Sequence, residues 1–143
     1  MSRRSGVDAA LAGAIATAAM AQLERWVARR LGAAPVFAPE RIAARVLTQE
    51  SAAKAAGSGM RAVYGRALGL AWANVPGWRR LSLPLRALTA GLGTFAAELV
   101  ALPATGATPP LSAWSRLEVA LLLGQTLVFG AVLAAASSPP RPA

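Results

Sequence analysis

The 143-residue chain has no cysteine and no histidine, and of its fifteen basic residues only Lys54 is a lysine. Without cysteine there is neither a disulfide framework nor thiol chemistry. Without histidine, the commonest metal ligand and the side chain that titrates nearest neutrality are both missing. A serine–lysine dyad is disfavoured because Lys54 lies outside the apolar segments. No nucleophile–base pair, metal-ligand cluster or phosphate loop is found, so no catalytic residue, metal site or cofactor is expected and the chain is read as non-enzymatic. Charge is scarce as well: 15% of residues are charged and 55% hydrophobic, where a soluble domain usually carries about 25% charged residues.

The shortage of charge is concentrated toward the C-terminus. Leu83–Leu102 and Leu117–Ala136 are apolar runs of 20 residues each, and a helix of ~20 residues at ~1.5 Å per residue crosses a ~30 Å hydrocarbon layer. Between them, Pro103–Ser115 has no charged residue, and its three prolines and one glycine mark a turn. Among the four charged residues from Arg86 to Ala136, Arg86, Arg116 and Glu118 lie near helix ends, and Glu98 does not. The net charge of +9 is spread over loops and helix ends rather than gathered on one polar face. It therefore favours anionic headgroups and argues against nucleic acid.

Earlier in the chain, a first helix is expected over about 6–27, with Ala9, Gly13, Thr17 and Ala21 recurring every four residues as a small-residue stripe. Such stripes let helix backbones approach closely in lipid. A cleaved signal peptide competes, since Arg3 and Arg4 precede the apolar core and Ala19-Met20-Ala21 fits the cleavage rule, but Trp26 suits a retained helix anchored at the interface. From Glu24 to Gly59 the chain is polar and basic. Pro39 opens an amphipathic helix expected to lie on the membrane surface over about 39–56, and Ala55–Gly59 reads as a break. Met60–Trp78 has spanning length if Arg66 is tolerated, and Gly65, Gly69 and Ala73 give it a GxxxG-type stripe. Similar stripes occur at Thr89, Gly93, Ala97 and Ala101, and at Thr126, Gly130 and Ala134. Gly91-x-Gly93-x-x-Ala96 imitates a dinucleotide fingerprint but is rejected, because no strand precedes it.

Several of these residues also form a recognisable series. Ala62-Val63-Tyr64-Gly65 with Leu68-Gly69, then Gly91–Leu102 carrying Glu98, then Leu102-Pro103-Ala104-Thr105-Gly106, Pro109-Pro110, Gln125 and Phe129-Gly130 follow one another in order. This series resembles the YagU-like group of small bacterial inner-membrane proteins, which have no assigned activity. The resemblance covers about 62–130. It implies that Met60–Trp78 is a membrane segment and that the protein is multi-pass in the inner (plasma) membrane. Where that group tends to carry histidines, this chain has Val63 and Gln125.

The expected architecture is an all-α integral membrane bundle of four transmembrane helices, about 6–27, 60–78, 83–102 and 117–136, with the interfacial helix and a disordered tail over 137–143. Three spans are the alternative. The positive-inside rule does not choose an orientation for four spans, because basic residues are found on both sides. The candidate intramembrane polar site is Arg66, Glu98 and Gln125, with Arg66 and Glu98 expected to pair and Gln125 to hydrogen-bond a neighbouring helix. Gly65, Gly69, Gly93 and Gly130 are the expected helix-packing positions. Membrane lipids and anionic headgroups are the expected partners, with a membrane protein or a second copy of the chain as further candidates. The function expected is lipid or membrane-protein association, and the alternative is a small transporter or proton or ion conduit using Glu98, Arg66 and Gln125.

Overall fold

The computed structural model describes residues 3–32, 50–106 and 108–137. They form α1 (Arg3–Leu31), α2 (Glu50–Ala73), α3 (Leu83–Ala104) and α4 (Arg116–Ala136), with short 3-10 turns at Trp78–Arg80 and Leu111–Ala113. Among the described residues there is no strand. α1 packs against α2 and α4, and α3 packs against α4, so the helices follow the order α2, α1, α4, α3 around the bundle. Side chains of α2 and α3 close the ring.

The helix ends follow local chemistry. Pro76 and Gly77 stop α2, and Gly77 takes a φ of 77°, a left-handed conformation that glycine adopts without a Cβ clash. α3 starts with a proline in its first turn, where the missing N–H costs nothing. α3 continues two residues past the expected Leu102, to Ala104, because Pro103 sits in the last turn and removes only one helical hydrogen bond. α4 opens on a capping box in which the Glu118 backbone N–H donates to Ser115 Oγ and the Ser115 N–H donates to Glu118 Oε2.

The core combines large apolar side chains, among them Met20, Leu122, Phe129 and Leu133, with polar and small ones. Thr17, Thr94, Glu98, Gln125 and Thr126 are buried, as are the small Ala9, Ala12, Ala16 and Ala90. Val7, Leu11 and Ile15 of α1 and Leu85, Leu88, Leu92, Ala96 and Val100 of α3 are exposed, at three- to four-residue spacings that make continuous outward stripes. Buried small and polar residues at the helix contacts, together with outward stripes of large apolar ones, is the pattern of helices solvated by lipid. Three helices, over Gly6–Arg30, Leu83–Ala104 and Arg116–Ala136, are long and apolar enough to cross a membrane. The protein is thus a helical membrane protein with three candidate spans.

The expected four spans are corrected to three on this measure. α2 is the helix that fails it: Glu50, Lys54, Arg61 and Arg66 make it too polar to qualify. Its limits differ as well. The helix expected over 60–78 ends at Ala73, and it starts no later than Glu50, running unbroken through Ala55–Gly59 where a break was expected. Gly57 is buried, so packing offsets the ~1 kcal/mol that a helical glycine costs. Residues 50–56 of the expected surface helix therefore belong to α2, while 39–49 lie outside the described residues, as do 138–143 of the expected tail.

Glycines set the closest approaches. Gly65 and Gly69 of α2 lie against Gly13, Thr17 and Ala9 of α1, and Gly130 of α4 lies against Ala87 and Gly91 of α3. The small-residue stripe of α3 does not make its contact with α4: Thr89, Ala97 and Ala101 are exposed, and Gly93 instead lies under the Trp72 ring of α2. The α3 surface that meets α4 is centred on Gly91, two residues round the helix, beside Ala90, Thr94 and Glu98.

Candidate functional site

The inward face of α2 carries Arg61, Tyr64, Gly65, Leu68 and Trp72 at helical spacing. The glycines bring its backbone onto α1, and the longer side chains then reach both neighbours. Arg61 pairs with Glu24 of α1 at 2.7 Å, with both side chains mostly buried. One turn on, the Tyr64 hydroxyl donates to Glu98 Oε1 of α3 at 2.7 Å. Two turns further, Trp72 Nε1 donates to Thr94 Oγ1 at 3.2 Å. These bonds make a polar strip that joins α1, α2 and α3 inside the bundle.

Glu98 is the centre of this strip. It is 2% exposed, its Oε2 is buried with no hydrogen-bond partner among the described residues, and Glu24 and Arg61 both act on it electrostatically. Gln125 of α4 is also 2% exposed and its Oε1 likewise has no hydrogen-bond partner. The hydrogen bond expected from Gln125 to a neighbouring helix is therefore not made by that oxygen. A cavity of about 480 Å³ between α1 and α2 borders the strip at the Glu24–Arg61 pair, with Thr17, Gln22 and Ser58 among its walls.

Of the residues singled out from sequence, Glu98 and Gln125 are brought into the core and Arg66 is not. Arg66 is exposed on the outward face of α2. The expected Arg66–Glu98 pair is replaced by Tyr64–Glu98, because Tyr64 and Arg66 are two positions apart and so point ~200° apart at ~100° per residue. Arg61, three positions before Tyr64, shares its face. Tyr64, Arg61 and Glu24 were not anticipated as site residues. The Arg61-x-x-Tyr64 spacing signals that the two share a helix face, whereas the Glu24 pairing depends on which helices neighbour each other.

At the opposite end of the bundle, Arg86 is largely buried with its guanidinium 6.0 Å from the Trp78 ring centre, and Trp78 and Trp72 rings lie 5.4 Å apart. This cluster packs the α2–α3 turn against the core. Among the described residues no group of His, Cys, Asp and Glu side chains is placed to hold a metal ion. Comparison of the chain with known protein families, with curated proteins and with solved structures finds no match.

Proposed function

We propose that this chain is a non-enzymatic, multi-pass protein of the bacterial inner (plasma) membrane that acts by association, with a membrane-protein partner seated on the outward face of α2. In this proposal α2, too polar to count among the candidate spans, packs along α1 and leaves its outward face beside the three spans.

The observation that carries it is the position of Arg66. Its neighbour Gly65 lies against Gly13 and Thr17, near the middle of the Gly6–Arg30 span, so Arg66 sits at mid-height of the bundle. It is exposed there, in line with exposed Met60, Val63 and Leu70. A charged side chain at that depth facing lipid costs ~3 kcal/mol on insertion scales. A carboxylate on a neighbouring helix removes that cost, and the Met60, Val63 and Leu70 stripe gives such a helix an apolar seam. A second copy of the chain does not supply the carboxylate at this height from the residues whose side chains are described: Glu24 and Glu98 are buried, Glu118 is held in the cap at the start of α4, and exposed Asp8 lies near the start of α1. The partner is thus a different membrane protein with an acidic intramembrane residue, and lipid covers the remaining faces.

The second reading, a small transporter or proton or ion conduit, is favoured by Glu98 and Gln125, both inside the bundle. Arg66, the third member of that set, stands outside it.

Photo-crosslinkers at Val63 and Leu70, with Leu92 as the control on α3, test the association in native membranes. The expected outcome is one discrete protein adduct from Val63 and Leu70 that is absent at Leu92 and lost in Arg66→Leu but kept in Arg66→Lys. Lipid adducts alone, equal at all three positions, would overturn the partner.

A further inference from the structure

We infer that Glu98 is a proton-binding site, its carboxyl group taking up and releasing one proton inside the bundle between Tyr64 and Gln125. The inference rests on the chemistry around Glu98 and is independent of any partner on α2.

The hydrogen-bond inventory points to it. A carboxylate accepts at both oxygens, and Glu98 Oε1 receives the Tyr64 hydroxyl while buried Oε2 has no hydrogen-bond partner. The Gln125 amide oxygen is a second buried acceptor in the same condition. Two unsatisfied acceptors in one core each carry a desolvation cost of ~1–3 kcal/mol, and more when charged. One hydrogen remedies both, since a protonated Oε2 becomes a donor and an amide oxygen accepts.

The helix geometry brings these two side chains toward each other. Gly91 lies against Thr126 and Leu127, and Gly130 against Ala87 and Gly91, so α3 and α4 run antiparallel with Glu98 level with about Ala120. Glu98 and Gln125 are therefore offset by about five residues along the axis, ~8 Å at ~1.5 Å each. Side chains on helices lean toward the N-terminus. In this antiparallel pair Glu98 leans toward the level of Gln125, and Gln125 leans toward the level of Glu98. A glutamine suits both charge states: its oxygen accepts from the acid, and its NH₂, with the amide turned end for end, donates to the carboxylate.

The charged and titratable neighbours are Glu24 on α1 and Arg61 and Tyr64 on α2. On α4 the nearest acid, Glu118, is engaged in the cap at Ser115. Arg61 is bonded to Glu24, so its charge is already shared when Glu98 ionises. The same pair lines the cavity between α1 and α2. That recess reaches Arg61, one turn from Tyr64, and not Glu98 itself; a hydronium ion that passes from it to the carboxylate gives up one O–H bond to water as the O–H bond forms at Glu98 Oε2, and release reverses the exchange. Binding a proton at Glu98 removes a buried negative charge next to Glu24, so occupancy of the site and the strength of the α1–α2 pair are coupled.

Infrared difference spectroscopy of the full chain in phospholipid vesicles, titrated with pH, tests the site. The expected result is a protonated-carboxyl C=O band from a group shielded from water, which disappears as pH rises, is missing in Glu98→Gln and is shifted in frequency in both Tyr64→Phe and Gln125→Leu. Glu24→Gln is expected to displace the titration midpoint without removing the band. A band that survives Glu98→Gln would overturn the assignment, and so would a wild-type spectrum with no such band at any pH at which the protein stays folded. If Glu98→Gln does not fold, a band unmoved by both Tyr64→Phe and Gln125→Leu overturns it equally.

Discussion

Replacing Gly69 with alanine tests the contact that holds α2 against α1. A Cβ built at Gly69 would lie 2.9 Å from both the N and the Cα of Gly13, and nearer still to the carbonyl oxygen of Ala9. All three are backbone atoms that no rotamer change can move aside. Ordinary carbon contacts are ~3.5–4.0 Å, so the two helices must part by roughly 1 Å along the seam. Overpacking of this kind costs ~1–3 kcal/mol, which is about a 5- to 150-fold shift in the unfolding equilibrium. Gly124 is the control, because nothing lies within 4 Å of a Cβ built there. Its alanine variant loses no contact and gains up to ~1 kcal/mol of helix propensity. Unfolding of the purified protein by added SDS, followed through the fluorescence of Trp72 and Trp78, is expected to come earlier for Gly69→Ala than for wild type and not for Gly124→Ala. Equal midpoints for the two alanine variants would refute the close-packed α1–α2 seam.

Two further stability predictions use the same assay. Arg61→Met removes the 2.7 Å ion pair to buried Glu24 and should destabilise the protein, by up to ~3–5 kcal/mol, most of it recovered in the Arg61→Met, Glu24→Leu double variant. Ser115→Ala removes the side-chain half of the α4 capping box and should cost about 1 kcal/mol, while leaving the Tyr64–Glu98 hydrogen bond and its spectroscopic signature in place.

The α3–α4 hairpin was plain from sequence because length and apolarity are properties of a run and need no knowledge of neighbours. Glu98 stood out for the same reason, as an acid inside such a run. Its partner did not, since pairing depends on helix phase: Arg66 is nearer the middle of the expected segment, but Tyr64 and Arg61 are on the face that glycine packing turns inward. The course of α2 was hidden by Gly57 and Gly59, which read as a break because glycine is a poor helix former in isolation, and tertiary packing overrides that preference. The stripe of α3 misled differently. In a chain this rich in alanine, small residues recur at helical spacing on several faces, and only the position of Gly130 on α4 singles out the one through Gly91. One available signal passed unused: Ser115-x-x-Glu118 is a capping box, and it marks the start of α4 at Arg116.

If hydrocarbon covers the outward leucine and valine stripes, thiols placed there are shielded from water, and the absence of cysteine from the chain allows this to be read with single-cysteine variants. Cysteines placed one at a time at Ile15, Leu88, Leu92, Val100 and Ser112 would be exposed in sealed vesicles to a membrane-impermeant maleimide, with SDS-treated samples as the full-labelling reference. Ile15, Leu88, Leu92 and Val100 are expected to be protected until SDS is added, while Ser112, in the loop before α4, reacts when its side of the membrane is presented. Rapid labelling of the outward positions Ile15 and Leu92 in intact vesicles would contradict it, because those residues would then face water.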